Sequence, residues 1–185
     1  MFSIFQKKKP ENTLPVIIKL FDDGFSVNGK QFTIPARISE LIEILGEPRI
    51  VVGKNDAIKA AKERVCKNYN LPPERYAEAD FYWDDLGLLA STYDKKTVHC
   101  FWIKIGDEKK YPMKMPKYDF SGTLLIYDRP WQEVAMEKAN HPSGTFYMKL
   151  GTLHAYVIRY GSKVESIKQF QIGLNDDQEF TFFDD

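Results

Sequence analysis

The sequence predicts an α+β fold in which an antiparallel sheet carries a few short helices packed on one face. Three observations support this class. Apolar residues recur with a period of two through most of the chain after residue 80, two helical patterns lie near the front, and helices do not alternate with strands. A chain of 185 residues, 43% of them hydrophobic, suits one core. We therefore expect a single domain over 1–185, with a mobile lead-in at 1–12 and an acidic, aromatic tail at 175–185.

The strand pattern begins at Val16 and contains a hairpin. Two strand-like runs, 24–27 and 30–34, flank Asn28-Gly29. Type I′ turns prefer this pair because both central residues need positive φ. Pro35 then ends the second strand.

Helical spacing appears in three places. Between Ile38 and Leu45, apolar residues at i, i+3, i+4 and i+7 share one face, and Gly46 gives a stop signal. A second helix is predicted from about residues 55–56 to just before Leu71, and a short third one over 130–139, with proline near its first turn.

The remaining periodic segments indicate strands joined by turns and one long loop. The loop, 106–119, contains prolines and several lysines. The predicted strands are 81–83, 88–93, 98–105, 120–127, 146–150, 153–160 and 164–172.

Composition narrows the function. With 26 basic and 26 acidic residues, the chain has no overall field that would steer it to nucleic acid or to a membrane surface. No apolar stretch is long enough to cross a bilayer, and the first residues lack a secretory signal, so we expect a cytoplasmic protein. Cys66 and Cys100 match no metal spacing and are expected to be reduced thiols.

No motif for catalysis is assembled. The three histidines, His99, His141 and His154, show no metal-ligand spacing, and the chain lacks a nucleophile elbow, a phosphate loop and a dinucleotide fingerprint. We therefore predict a protein that is not an enzyme and that needs neither a cofactor nor a metal.

Two acidic segments are candidates for partner binding. Asp84 and Asp85 follow an aromatic triplet that ends at Trp83. They either share protons or bind a hard cation, or they cap backbone amides in a turn, and the turn is the favoured interpretation. The tail combines carboxylates with phenyl rings and either docks on a basic partner or frays. Its candidate residues are Asp176, Asp177, Glu179, Phe182 and Asp184.

Several strings together resemble a family. They are Phe32-Thr33-Ile34-Pro35, Ile38-Ser39-Glu40-Leu41 through Leu45-Gly46-Glu47-Pro48-Arg49, Tyr82-Trp83-Asp84-Asp85-Leu86-Gly87-Leu88 and Phe120-Ser121-Gly122-Thr123-Leu124. Between about residues 25 and 125 the chain resembles small bacterial proteins associated with immunity proteins of polymorphic toxin systems, and it is similar to the helix-plus-sheet modules of β-lactamase-inhibitor-like proteins. The resemblance implies a cytoplasmic protein that binds a cognate toxin and blocks its active site or a necessary movement.

The leading hypothesis is thus a non-enzymatic toxin inhibitor. Trp83, Trp102 and Trp131 are its candidate anchors if they are exposed, and Asp84, Asp85 and the tail acids supply charge complementarity.

Two alternatives remain. One is a small-ligand-binding protein or an enzyme that uses a concave sheet face, with His99, His154, Tyr156 and Asp85 as its polar groups. The other is a structural subunit of a larger assembly, for which obligate self-association would be the sign.

Overall fold

The computed structural model describes residues 15–53, 59–106, 115–138, 144–150, 153–159, 167–173 and 181–183. The described strands are β1 (Ile17–Phe21), β2 (Gly24–Val27), β3 (Lys30–Phe32), β4 (Ala36–Arg37), β5 (Arg49–Val52), β6 (Ala79–Trp83), β7 (Leu88–Thr92), β8 (Thr97–Lys104), β9 (Thr123–Ile126), β10 (Arg129–Pro130), β11 (Gly144–Leu150), β12 (Leu153–Arg159) and β13 (Ile167–Gly173). The helices are α1 (Ile38–Leu45), α2 (Lys59–Tyr69) and α3 (Trp131–Lys138), with a 3-10 turn at Pro73–Arg75.

The predicted α+β class is confirmed, since the strands pair mostly antiparallel and the helices are few and short. The strands form two sheets, an arrangement that the sequence did not indicate. The smaller sheet has the order β10-β9-β1-β2-β3, and the larger one runs β11-β12-β13-β8-β7-β6-β5, with β4 paired to β8. In the smaller sheet β1 and β9 are parallel, which departs from the antiparallel expectation.

The local elements near the front follow the sequence signals. Asn28 and Gly29 have φ of 50° and 88° in the turn between β2 and β3, as a type I′ turn requires. The helix α1 ends at Gly46, whose N–H donates to the Ile42 carbonyl and whose φ is 81°. The predicted start of the second helix lies outside the described residues.

The main core lies between the two sheets. Phe25 of the smaller sheet stacks on Phe101 of the larger sheet with ring centres 5.0 Å apart. Ile38 and Leu41 of α1, and Val134 and Ala135 of α3, join the same cluster. One face of the larger sheet is therefore covered by the smaller sheet together with these helices.

A second apolar cluster lies on the opposite face of the larger sheet. It contains Tyr82, Leu89, Cys100 and Trp102, with Met115 packed against them. Cys100 and Cys66 are both free cysteines, and burial raises the pKa of the Cys100 thiol well above its usual range. No described helix is long and apolar enough to cross a bilayer.

Candidate functional site

A cleft of about 320 Å³ opens beside the turn between β6 and β7. It lies where the end of α1, the start of β5 and this turn meet. The lining residues are Leu45, Glu47, Arg49, Tyr82, Trp83, Asp84, Asp85 and Leu86. Three predicted binding residues, Trp83, Asp84 and Asp85, line this cleft. Glu47 joins them from the segment between α1 and β5, and Arg49 joins them from the start of β5.

The shape of the turn depends on Gly87. Trp83 and Leu88 pair across the hairpin, and the Leu86 N–H donates to the Trp83 carbonyl. Gly87 has a φ of 71°, and a Cβ there would lie 2.3 Å from the backbone nitrogen of Phe120. Only glycine accepts both the positive φ and the close backbone approach.

Asp84 joins three segments of the chain. Its carboxylate accepts hydrogen bonds from Arg49 Nε at 2.5 Å and Arg49 Nη2 at 2.9 Å, and from the Lys117 backbone N–H at 2.9 Å. The Asp84 carbonyl accepts from the Tyr118 N–H. These donors, the Arg49 guanidinium first, hold the pKa of Asp84 below its usual value against the opposing effect of burial. The predicted turn is present, and Asp84 caps a backbone amide as expected, but this amide and the guanidinium that it binds belong to distant segments.

The guanidinium of Arg49 also lies over an aromatic ring. Its centre is 4.2 Å from the centre of the Tyr82 ring. Burial, followed by the nearby Asp80 carboxylate, raises the pKa of Tyr82 to about 12, so the phenol stays neutral at physiological pH. The Arg49 guanidinium is therefore held in the cleft wall by the Asp84 carboxylate and by the Tyr82 ring.

The predicted tryptophan anchors are placed differently from one another. Trp83 is 4% exposed and donates from Nε1 to the Gly46 carbonyl at 2.7 Å, which ties the end of α1 to β6. Trp102 is 9% exposed within the outer-face cluster. Trp131 is half-buried, with its ring edge-on to Phe170. The tryptophans were expected to act as anchors only if they are exposed. Trp83 and Trp102 are not, because their rings pack within apolar clusters.

The exposed charge of the cleft is acidic. Glu47 and Asp85 are exposed, whereas the Asp84 charge is neutralised by Arg49. Two carboxylates of the cleft lining are thus exposed. No group of three or more potential metal ligands occurs among the residues that the structure describes.

Two exposed apolar residues follow Arg49 along β5. Ile50 and Val52 of β5 are 52% and 51% exposed, although both are large hydrophobic residues. The strand β5 is not among the strands that the sequence patterns predicted. The available signal was Arg49-Ile50-Val51-Val52, a β-branched run bounded by Pro48 and Gly53.

The described end of the predicted tail contacts its own chain. The Phe183 carbonyl accepts from Arg75 Nη2 at 2.9 Å, its N–H donates to Thr97 Oγ1 at 3.2 Å, and the Arg37 guanidinium lies 4.4 Å from the centre of its ring. Phe182 is half-buried beside it. The other predicted tail residues, Asp176, Asp177, Glu179 and Asp184, lie outside the described residues.

Of the residues proposed for an enzyme, Asp85 lines this cleft and His99 does not. Asp85 lies in the turn after Trp83, near the end of the β7–β8 ladder where Leu88 pairs with Ile103. His99 lies at the opposite end of this ladder, where Thr92 pairs with Val98. The ladder between these ends spans roughly 13 Å at about 3.3 Å per residue. The β12 backbone places His154 and Tyr156 opposite residues 173 and 171 of β13, and their side chains lie outside the described part of the chain.

The predicted basic loop is described only from Met115 onward. The Lys117 N–H is committed to Asp84. Lys104, before the loop, is buried with its ammonium 3.1 Å from an Asp119 carboxylate oxygen. Lys104 thus pairs with a carboxylate of its own chain, whereas the Lys117 ammonium lies 4.9 Å from the centre of the Tyr118 ring.

Comparison with known proteins identifies a family. No curated protein and no solved structure matches the chain. A model of the family "Domain of unknown function (DUF7738)" matches residues 17–141, from the first residue of β1 to just beyond α3. Because this match covers more than half of the chain, the protein belongs to the DUF7738 family.

Proposed function

We propose that this chain is a non-enzymatic, cytoplasmic bacterial protein that binds another protein, and that its partner is a toxin effector which it inhibits. One observation carries the proposal. The strand that supplies Arg49 to the acidic cleft continues into two exposed apolar residues, and protein interfaces combine charge with apolar surface in this way. The resemblance of the motifs to immunity proteins supplies the choice of a toxin.

The rigidity of the cleft supports a binding function. Asp84, Arg49 and Tyr82 are held by two hydrogen bonds and a cation–π contact, and Trp83 fixes the adjoining end of α1. A surface that is ordered before binding loses less conformational freedom when its partner arrives.

The distribution of charge specifies the partner. Glu47 and Asp85 present carboxylates that no described basic residue neutralises through an ion pair within 4.0 Å. A partner with lysine or arginine at its contact surface would meet these charges, gain association rate at low salt and be favoured over acidic competitors.

The extent of the surface favours a protein over a small molecule. A volume of about 320 Å³ is at the lower end of the range for ligand pockets. The exposed Ile50 and Val52 continue the surface beyond the cleft along β5. A macromolecular partner covers both parts at once.

The test is affinity capture with two matched variants. Glu47→Lys with Asp85→Lys reverses the cleft charge, and Asp23→Lys with Glu63→Lys makes the same change of charge at exposed positions elsewhere. We expect the wild-type chain and the control to retain the same stoichiometric protein and the cleft variant to lose it. Equal capture by all three chains would overturn the assignment of the cleft.

The toxin assignment has its own test. The captured protein, expressed alone in a bacterium, should arrest growth, and co-expression of the wild-type chain should restore it, whereas co-expression of the cleft variant should not. A captured protein that leaves growth unchanged would remove the toxin from the proposal.

A further inference from the structure

We propose that the open edge of β5 receives an extended, basic segment of the partner, which adds as one more strand of the larger sheet. The inference rests on the proposed protein-binding function and names the structural form of the recognition. In this mode main-chain hydrogen bonds give affinity, and side chains along the added strand give specificity.

The backbone of β5 is open on one side. β5 is the last strand in the described order of the larger sheet and pairs antiparallel with β6. The Gly53 N–H donates to the Glu78 carbonyl on the β6 side. Because backbone groups alternate in direction along an antiparallel strand, the N–H and C=O groups of Ile50 and Val52 point away from β6.

Both edges of the smaller sheet are protected, and the side chains of β11, the other edge of the larger sheet, lie outside the described residues. In β3, Lys30 is exposed and its ammonium lies 3.3 Å from both Glu40 and Glu43. The strand β10 has only two residues, one of which is Pro130. A charged side chain, a proline and a short length are the usual means by which proteins block further strand pairing.

The edge of β5 has none of these protections along its centre. Ile50, Val51 and Val52 are β-branched, and Ile50 and Val52 leave about half of their surface exposed. Their backbone neighbours in the sheet are Phe81 and Ala79 of β6, so only the side away from β6 is open. An added strand would cover these two side chains and satisfy the outward backbone groups together.

The charge around β5 selects the occupant. Glu47 precedes β5 by two positions. Arg49, the first residue of β5, pairs with Tyr82, and Asp85 lies in the turn that follows Tyr82 by a few residues. Both carboxylates are therefore at the start of β5. A partner strand with lysine or arginine at this end would place a cation between them while its β-branched residues lie along Ile50 and Val52.

A short peptide probe tests the strand addition without the natural partner. The probe is acetyl-Thr-Val-Lys-Val-Lys-Val-Thr-amide, and its controls replace both lysines with glutamate or N-methylate alternate backbone nitrogens. Amide hydrogen exchange of the full chain is measured by NMR. We expect the lysine peptide to slow exchange at Ile50 and Val52, with Val51 unchanged because its N–H already faces β6.

The control peptides separate charge from strand pairing. The glutamate peptide should bind at least about tenfold more weakly, which corresponds to about 1.4 kcal/mol. The N-methylated peptide should give no protection. Absence of protection at Ile50 and Val52 with millimolar lysine peptide, protection along β3 instead, or protection in the free chain through self-association would each overturn the proposal.

Two edge variants distinguish this inference from the proposed function. Ile50→Lys with Val52→Lys places charge on the edge, whereas Ile50→Thr with Val52→Thr keeps β-branched side chains. The lysine variant should lose both peptide and captured protein, and the threonine variant should retain the peptide. If the cleft variant loses the captured protein while the lysine edge variant keeps it, the strand inference fails and the protein-binding function stands. If no chain captures a protein, that function fails, and the exchange experiment still decides whether the edge accepts a strand.

Discussion

The two turns of the β6–β7–β8 hairpins use aspartate in opposite ways. Asp94 is 6% exposed and accepts hydrogen bonds from its own turn, from the N–H groups of Lys96 and Thr97 and from the Thr97 hydroxyl. Asp84 reaches out of its turn to Arg49 and to the Lys117 N–H. The Asp94 carboxylate is therefore bound mainly within its own turn, with Arg75 Nη2 farther away at 3.9 Å, whereas the Asp84 turn depends on segments far away in the sequence.

This difference in the bonding of the two aspartates indicates which acidic residues are accessible to a partner. A buried carboxylate that is bound mainly within its own turn stabilises the hairpin and is not accessible to a partner. A carboxylate held at the surface by a guanidinium orders the wall of a cleft and leaves the neighbouring Asp85 exposed. The accessible acids at the cleft end are therefore the ones to test for binding.

The largest expected effect is at Gly87. Gly87→Ala adds a Cβ 2.3 Å from the Phe120 backbone at a φ of 71°, so we expect a loss of about 4 kcal/mol of unfolding free energy from strain and overlap together. Gly29→Ala is the control, because its φ is 88° and nothing lies within 4 Å of the added Cβ; it should cost about 1 kcal/mol. Chemical denaturation of both variants measures the difference, and equal losses would show that close approach to Phe120 is unimportant.

The next effect concerns pH and His99, near the Asp94 turn. Burial lowers the pKa of His99 to about 4, although the Asp94 charge opposes this, and its ring stacks 3.7 Å from that of Tyr93. Between pH 6.5 and 4 the unfolded chain therefore binds a proton that the folded chain does not, so stability falls as the pH falls, by up to about 3 kcal/mol. In His99→Phe this part of the pH dependence should disappear in denaturation curves measured from pH 7 to pH 4. An unchanged slope would show that His99 is not its source.

Truncating the two aspartates compares the turns directly. Asp94→Ala should cost about 2–3 kcal/mol because it leaves buried N–H groups without an acceptor. Asp84→Ala should cost only about 1 kcal/mol, since water can reach the half-exposed Arg49. Thermal and chemical denaturation measure the loss of stability in each variant. A larger loss in Asp84→Ala than in Asp94→Ala would reverse our interpretation of which carboxylate contributes more to the stability of the fold.

The smallest effect is the acid dependence of Asp84. Because its folded-state pKa is lowered, the charged form contributes stability above the unfolded-state value near 3.8, and this contribution disappears as the pH falls through the folded-state pKa. The stability difference between the wild-type chain and Asp84→Asn should be about 1 kcal/mol near neutrality and should shrink below pH 4. An NMR titration of the carboxyl carbon gives a second readout, since Arg49→Gln should raise the Asp84 pKa. A pKa that does not move would show that Arg49 is not the main cause.

Local signals predicted much of the fold. The Asn28-Gly29 turn and the helix that ends at Gly46 depend on backbone conformations that a few neighbouring residues determine. The β6–β7–β8 meander also followed from period-two patterns and short turns. These features require no knowledge of distant pairing.

The candidate site was only partly predictable for the opposite reason. Asp84 was identified as a turn residue, but its bond to Arg49 joins positions 35 apart, and nothing in the local pattern of either residue indicates the other. Burial of Trp83 likewise depends on α1 reaching β6 so that Gly46 can accept its N–H. The sequence named the residues of the turn, and tertiary packing determined which of them face solvent.

The parallel pair of β1 and β9 has a consequence for folding order. Ile17 pairs with Thr123, so β1 has its β2 neighbour at once but gains its second neighbour only after the intervening segments have been synthesised. Contacts between distant positions close large loops before they gain energy, and they slow folding. During synthesis the β1–β2–β3 hairpins would therefore form before β9 is available, and the edge of β1 that β9 covers would be unpaired. Completion of the smaller sheet, which encloses the shared core, would be a late event.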